Sequence, residues 1–115
     1  MANCEKKENH YLVEKLTTAM TALATGEGDV RSRLKTVHLI TISLNLEDFP
    51  SDLRPKWESI QRQLNQKSPL FSADGSVIRG SVEETLRSMR NRTGAKIAKE
   101  VEYIYWQVSK NQKYR

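Results

Sequence analysis

The sequence predicts an all-α fold, an antiparallel four-helix bundle, and three observations carry that expectation. Apolar residues recur at three- and four-residue spacing in four separate segments. Each segment opens or closes on a residue suited to a helix end: Asn9, Gly26, Asp29, Ser51 and Ser81. No two convincing strands exist to build a sheet. With 115 residues, the chain has the usual size of one domain, residues 1–115, with 1–8 and 110–115 expected to be flexible ends.

The first helix is expected over 9–24, capped by Asn9, with Leu12, Leu16, Ala19, Met20 and Leu23 as its stripe. Gly26 should stop it in a left-handed conformation, and Asp29 should cap the next helix, because a carboxylate accepts from the unpaired amides of the first turn. Residues 30–45 are ambiguous. Val30, Leu34, Val37 and Leu44 fit a helix, whereas Thr36 to Leu44 is rich in β-branched residues and would pass for a buried strand. The good cap favours a helix, and the apolar run Val37, Leu39, Ile40, Ile42 predicts a central, well-buried one.

Phe49 before Pro50 is pushed out of the helical region, and Ser51 is expected to cap a third helix over about 52–66. Its stripe is Leu53, Trp57, Ile60 and Leu64, and Pro55 is tolerated in the first turn. Between Ser68 and Gly80, Asp74-Gly75 signals a turn between Leu70-Phe71 and Val77-Ile78, consistent with a small hairpin or an ordered loop. Ser81-Val82-Glu83-Glu84 matches a capping box. Val82, Leu86, Met89, Thr93, Ile97, Val101, Ile104 and Val108 then keep a helical period, predicting one long helix to about residue 109. Gly94 is its weak point, and a break around Asn91–Gly94 with Thr93 recapping is the alternative.

Charge is the main functional signal. Residues 1–76 carry ten Lys/Arg against ten Asp/Glu, while residues 77–115 carry nine against four, so the whole net charge of +5 lies in the C-terminal third. On a helical wheel, Arg92, Lys96, Lys99, Tyr103, Trp106 and Lys110 fall on one face within roughly 80°. Cations interleaved with aromatic rings suit phosphates with a stacking or apolar contact, or a protein partner surface. The alternative is that Tyr103 and Trp106 pack on a neighbouring helix or protomer with lysine stems lying over them. Arg87 and Arg90 complete the candidate partner or polyanion site; Arg90 falls at the margin of the apolar stripe, where pairing with an acid such as Glu83 or Glu84 is the ordinary expectation.

Other chemistries find little support. The single Cys4 has no intrachain partner, His38 reads as a hydrogen-bonded core histidine, and no His/Cys/Asp/Glu spacing matches a zinc site. Gly26-Glu27-Gly28 lacks the third glycine of a phosphate-binding fingerprint. No catalytic, cofactor or metal residue can be nominated, and the expectation is a non-enzyme without cofactors. No apolar run approaches the roughly 20 residues of a membrane span, and the N-terminus lacks the apolar middle of a secretory signal, so a cytoplasmic protein with no membrane role is expected.

Gly-Glu-Gly-Asp at 26–29, Leu-Glu-Asp-Phe-Pro-Ser-Asp-Leu-Arg at 46–54, and Gly-Ser-Val-Glu-Glu-Thr-Leu at 80–86 with Thr93-Gly94-Ala95-Lys96-Ile97-Ala98 together resemble a type of short bacterial chain without an assigned activity. The resemblance spans about residues 26–105 and implies a small bacterial intracellular protein, with no site attached. The functional expectation is therefore a helical adaptor or regulatory accessory protein acting through its basic-aromatic C-terminal helix, with self-association as an accompanying feature. The alternative is a nucleic-acid-binding accessory protein with Arg87, Arg90, Arg92, Lys96 and Lys99 on phosphates.

Overall fold

A computed structural model of the protein describes residues 2–112, with side-chain surroundings from 10 to 110. Its elements are α1 (Ala2–Thr25), α2 (Val30–Thr41), a 3-10 turn (Leu46–Asp48), α3 (Arg54–Leu64), β1 (Leu70–Phe71), β2 (Val77–Arg79), α4 (Ser81–Ser88) and α5 (Asn91–Gln112). The described residues are mostly helical, and the one sheet among them is the β1–β2 hairpin. α5 packs against α1, α2 and α3, while the short α4 bridges α2 and α3. Of the two ends expected to be flexible, residues 2–8 and 110–112 are helical, and residues 1 and 113–115 lie outside the described residues.

The helix α1 starts well before the expected cap, so Asn9 lies inside it. Leu12, Leu16 and Ala19 are fully buried, with Met20 and Leu23 packed at the core's edge. The chain leaves α1 through a bond from Gly26 N to Ala22 O of 2.8 Å. A Cβ at Gly26 would stand 2.5 Å from that same carbonyl oxygen, so the glycine is required for space. The left-handed residue of this connection is Gly28 (φ +83), not Gly26 as its place in the sequence suggests.

Asp29 caps α2 as expected, accepting from the amides of Arg31 and Ser32. The helix ends at Thr41 rather than near residue 45, and Leu44 folds back into the core through a turn onto the Thr41 carbonyl. The expectation of a well-buried α2 fails: Leu34 and Val37 are inside, but Leu39 is 59% exposed and Ile42 65% exposed. α1, α4 and α5 cover only part of α2, and its remaining side faces out. His38 is half-buried, not a core residue.

Phe49 is buried in extended backbone before Pro50 and stacks on Trp57 at 4.6 Å between ring centroids. Ser51 does not cap α3. A turn in which Leu53 N donates to Pro50 O leads in, and the helix starts at Arg54 with Pro55 in its first turn. Leu53, Trp57, Ile60 and Leu64 are all buried, as their spacing requires.

The hairpin turns on Asp74-Gly75. Gly75 takes φ +88, and the Asp74 carboxylate accepts from the Ser72 and Ser76 hydroxyls, which holds its pKa down at about 2. Leu70 and Phe71 pair with Arg79 and Val77 across an irregular register, and the strands' apolar side chains remain largely exposed.

The capping box at Ser81 does not form. Gly80 takes the cap position, Ser81 Oγ donates to Lys67 O at 2.7 Å, and the Glu84 carboxylate is taken by Arg79. The long helix expected over 82–109 is divided, at Met89–Arg90 rather than at Gly94. Met89 is buried in extended backbone (φ −78, ψ 144), and its carbonyl accepts from Arg31 Nη1 at 3.0 Å. α5 restarts with Gly94 N bonded to Arg90 O, so the Arg90 carbonyl begins the new ladder; Thr93 does not recap it and lies exposed, outside the buried stripe. Gly94 allows close packing instead: a Cβ there would lie 2.9 Å from Val30 Cγ1 of α2. From that contact onward Ile97, Val101, Ile104 and Val108 are essentially fully buried.

Candidate functional site on the outer face of α5

With one side of α5 filling the core, the residues half a turn away must face outward. Arg92, Lys96, Lys99, Tyr103, Trp106 and Lys110 are all exposed, with Tyr103 at 46% and Trp106 at 54%. At 1.5 Å rise per residue the stripe is about 27 Å long. None of its four cations has an acid partner among the described residues, although Glu100 and Glu102 flank it on the same helix. Glu100 is engaged from α3, accepting from Gln63 Nε2 at 3.0 Å.

Tyr103 lies at the seam with α3. Pro55, Lys56 and Ser59 of α3 face Lys99, Glu100 and Tyr103 of α5 across a groove of about 380 Å³. Lys56 Nζ sits 5.0 Å from the Tyr103 ring centroid, a cation–π arrangement that keeps an ammonium at the stripe's edge. Trp106 packs edge-on against Tyr105 at 5.2 Å, which positions its ring while leaving it open to solvent.

The arginines before α5 are divided between two other surfaces. Arg90 is exposed, has no ion-pair partner among the described residues, and lines a depression with Gln63, Gln66, Lys67, Ser88 and Thr93. The expected pairing of Arg90 with an acid is therefore not made. Arg87 lines the cleft between α2 and α4, together with Arg31, Lys35, Arg79 and Glu83. In that cleft each cation has an acid beside it, with Glu84 shared by two arginines. Arg31 binds Asp29 at 2.9 Å, Lys35 binds Glu83 at 3.2 Å, Arg79 binds Glu84, and Arg87 comes within 4.0 Å of Glu84. The Arg79 hydrogen bond is the chief cause of a lowered Glu84 pKa, and the Arg31 hydrogen bond does the same for Asp29.

Of the eight residues nominated from the sequence, the six of α5 thus share one face, Arg90 lies on the α3–α4–α5 side, and Arg87 belongs to a paired cluster elsewhere. The residue that sequence reasoning misses is Lys56. It stands on α3, and only the docking of α3 against α5 brings it to Tyr103; no local pattern in the sequence links the two.

His38 lines a separate groove between α2 and α3, with Ile42, Leu44, Trp57 and Arg62, and burial lowers its pKa. Cys4 lies outside the residues whose side chains are described. Among the described residues no three His, Cys, Asp or Glu side chains converge as metal ligands would, and no helix is long and apolar enough to cross a membrane. No protein-family model matches the chain, and no curated protein or solved structure shows significant similarity to it.

Proposed function

We propose that the protein is a non-enzymatic helical interaction module, a small adaptor or regulatory accessory protein that docks an acidic partner on the outer face of α5. One observation carries this reading: four cations and two aromatic rings stand exposed along one helix face with no acid partner among the described residues. α1, α2, α3 and α5 act as the bundle that presents this face, with α4 as a brace. The inner side of α5 is locked by Ile97, Val101, Ile104 and Val108, so the stripe is held by a packed core.

A second copy is a poor occupant of the stripe, because a two-fold pairing would set its cations against the same cations. Self-association is better served by the exposed Leu39 of α2 and Ile42 just after it. A nucleic acid as the acidic partner is favoured by the aromatic rings among the cations, which a purely electrostatic surface does not need.

The test is binding of two acidic probes, poly-L-glutamate and a short DNA duplex, at about 50 mM salt, where surface charge is weakly screened. Binding that weakens steeply with salt and is lost in the Lys96→Glu, Lys99→Glu double variant is the expected result. Failure of both these probes and of a single-stranded oligonucleotide to bind would remove the reading.

A further inference from the structure

The groove between α3 and α5 adds depth to a face that is otherwise convex. Its volume of about 380 Å³ is at the small end of ligand pockets. It is too small to receive a helix, which is about 10–12 Å across with its side chains. It is suited to one planar ring with a charged group on either side. Lys56 and Lys99 supply cations on opposite walls, Tyr103 supplies a ring, and Ser59 a hydroxyl; Glu100, the one acid in the lining, accepts from Gln63 Nε2 at 3.0 Å and is outnumbered by the two lysines.

The groove also continues into the stripe. Tyr103 and Trp106 are three residues apart on the same helix face and are therefore neighbours. Lys96 precedes the pair and Lys110 follows it, so cations flank the rings along the helix. A duplex keeps its bases stacked inside and offers the rings nothing to stack on, and an acidic polypeptide has no need of a ring at each step. A single strand offers both an unstacked base and a phosphate at every nucleotide.

We infer that the α3–α5 groove and the outer face of α5 together bind a single strand of nucleic acid, with phosphates on Lys56, Lys96, Lys99 and Lys110 and successive bases on Tyr103 and Trp106. This rests on the reading of the α5 face as the docking surface. Lys56, now over the Tyr103 ring, turns to a phosphate as the base takes its place. Exposed lysines act here as point charges and leave base identity unread, so the site is tolerant of sequence.

Fluorescence anisotropy of labelled RNA and DNA strands of about 10 nucleotides tests this against a duplex and against poly-L-glutamate. The strands should bind more tightly than either competitor, with a log–log salt slope of about 3 for four phosphate contacts at about 0.7 each. Trp106→Ala should weaken strand binding by about fivefold or more with the salt slope unchanged. Lys56→Gln with Lys99→Gln should lower that slope by about 1 or more. Lys35→Gln with Arg87→Gln, an equal loss of charge at the α2–α4 cleft, should leave it alone. Circular dichroism confirms that each variant keeps its helices.

Duplex or poly-L-glutamate binding as tight as the strand's, unaffected by Trp106→Ala, would overturn the inference while leaving the acidic-partner face intact. An effect of the cleft pair equal to that of the groove pair would also overturn it, since net charge alone would then explain binding. Absence of binding by every probe at about 50 mM salt overturns both the inference and the reading beneath it.

Discussion

The cleft between α2 and α4 and the outer face of α5 are both rich in cations, and they use them in opposite ways. In the cleft, Arg31, Lys35, Arg79 and Arg87 meet Asp29, Glu83 and Glu84, and each cation has an acid within 4.0 Å. On α5, Arg92, Lys96, Lys99 and Lys110 have none among the described residues. Part of the first set joins elements: Lys35 of α2 binds Glu83 of α4, Arg79 of β2 binds Glu84 of α4, and Arg31 ties the start of α2 to the Met89 carbonyl at the α4–α5 break. The second set ties nothing in the fold together. A residue count over the C-terminal third merges the two, and only geometry separates charge that is paired inside the molecule from charge that stands unpaired among the described residues.

The largest effect that follows from this difference is on stability. Arg31→Met keeps much of the stem's packing but leaves the Met89 carbonyl without its donor, and that loss should cost about 1–3 kcal/mol in urea unfolding. A loss under about 0.5 kcal/mol would show that the cleft's pairs are surface decoration, and the contrast would collapse.

The next effect is on pH dependence. Arg79 and Arg31 hold Glu84 and Asp29 below their ordinary values of 4.5 and 3.8, and serine hydroxyls hold Asp74 at about 2. A depressed folded-state pKa contributes stability that is complete above the unfolded value and lost as pH falls through the folded one. Thermal stability should therefore be level in this respect above about pH 5 and decline below it, and Glu84→Gln should both lower the plateau and shallow the decline. Melting curves of the two proteins from about pH 2 to about pH 7 check this; parallel curves would dismiss Glu84 as a contributor.

The smallest effect is expected on α5. The Lys96→Glu, Lys99→Glu double variant should change stability by no more than about 0.5 kcal/mol per site, because both side chains are exposed and unpaired among the described residues. Chemical denaturation measures it. A large loss would mean that the stripe has a structural task, and would weaken its claim to be a docking surface.

How much of this is legible in the sequence depends on how local the cause is. The inner stripe of α5 from Ile97 to Val108 and the stripe of α3 follow from periodicity, and Asp29 from the needs of a helix start; these are as the sequence predicts, whereas Thr93, counted in the same stripe, lies exposed. Leu39 and Ile42 mislead because hydrophobicity says that a side chain favours burial, not that a neighbour exists to bury it. The break at Met89 is hidden because Met89 stays buried through the change in backbone, so the apolar pattern runs across it. Ser81 carries a good capping signature that the Lys67 carbonyl, brought in by the hairpin, diverts. For the candidate site, the α5 face is legible from helical spacing, whereas its second wall at Lys56 depends on how α3 docks.

The two tryptophans are placed so differently that they make the protein its own instrument. Trp57 is 4% exposed and stacked on Phe49, and Trp106 is 54% exposed within the stripe. The emission of the native protein is therefore a sum of a shielded and a hydrated indole. With Trp106→Phe the remaining signal follows the core alone, and with Trp57→Phe it follows the outer face of α5 alone. Unfolding of the core and any change at the α5 face can then be watched by separate colours of one chromophore, without any attached label.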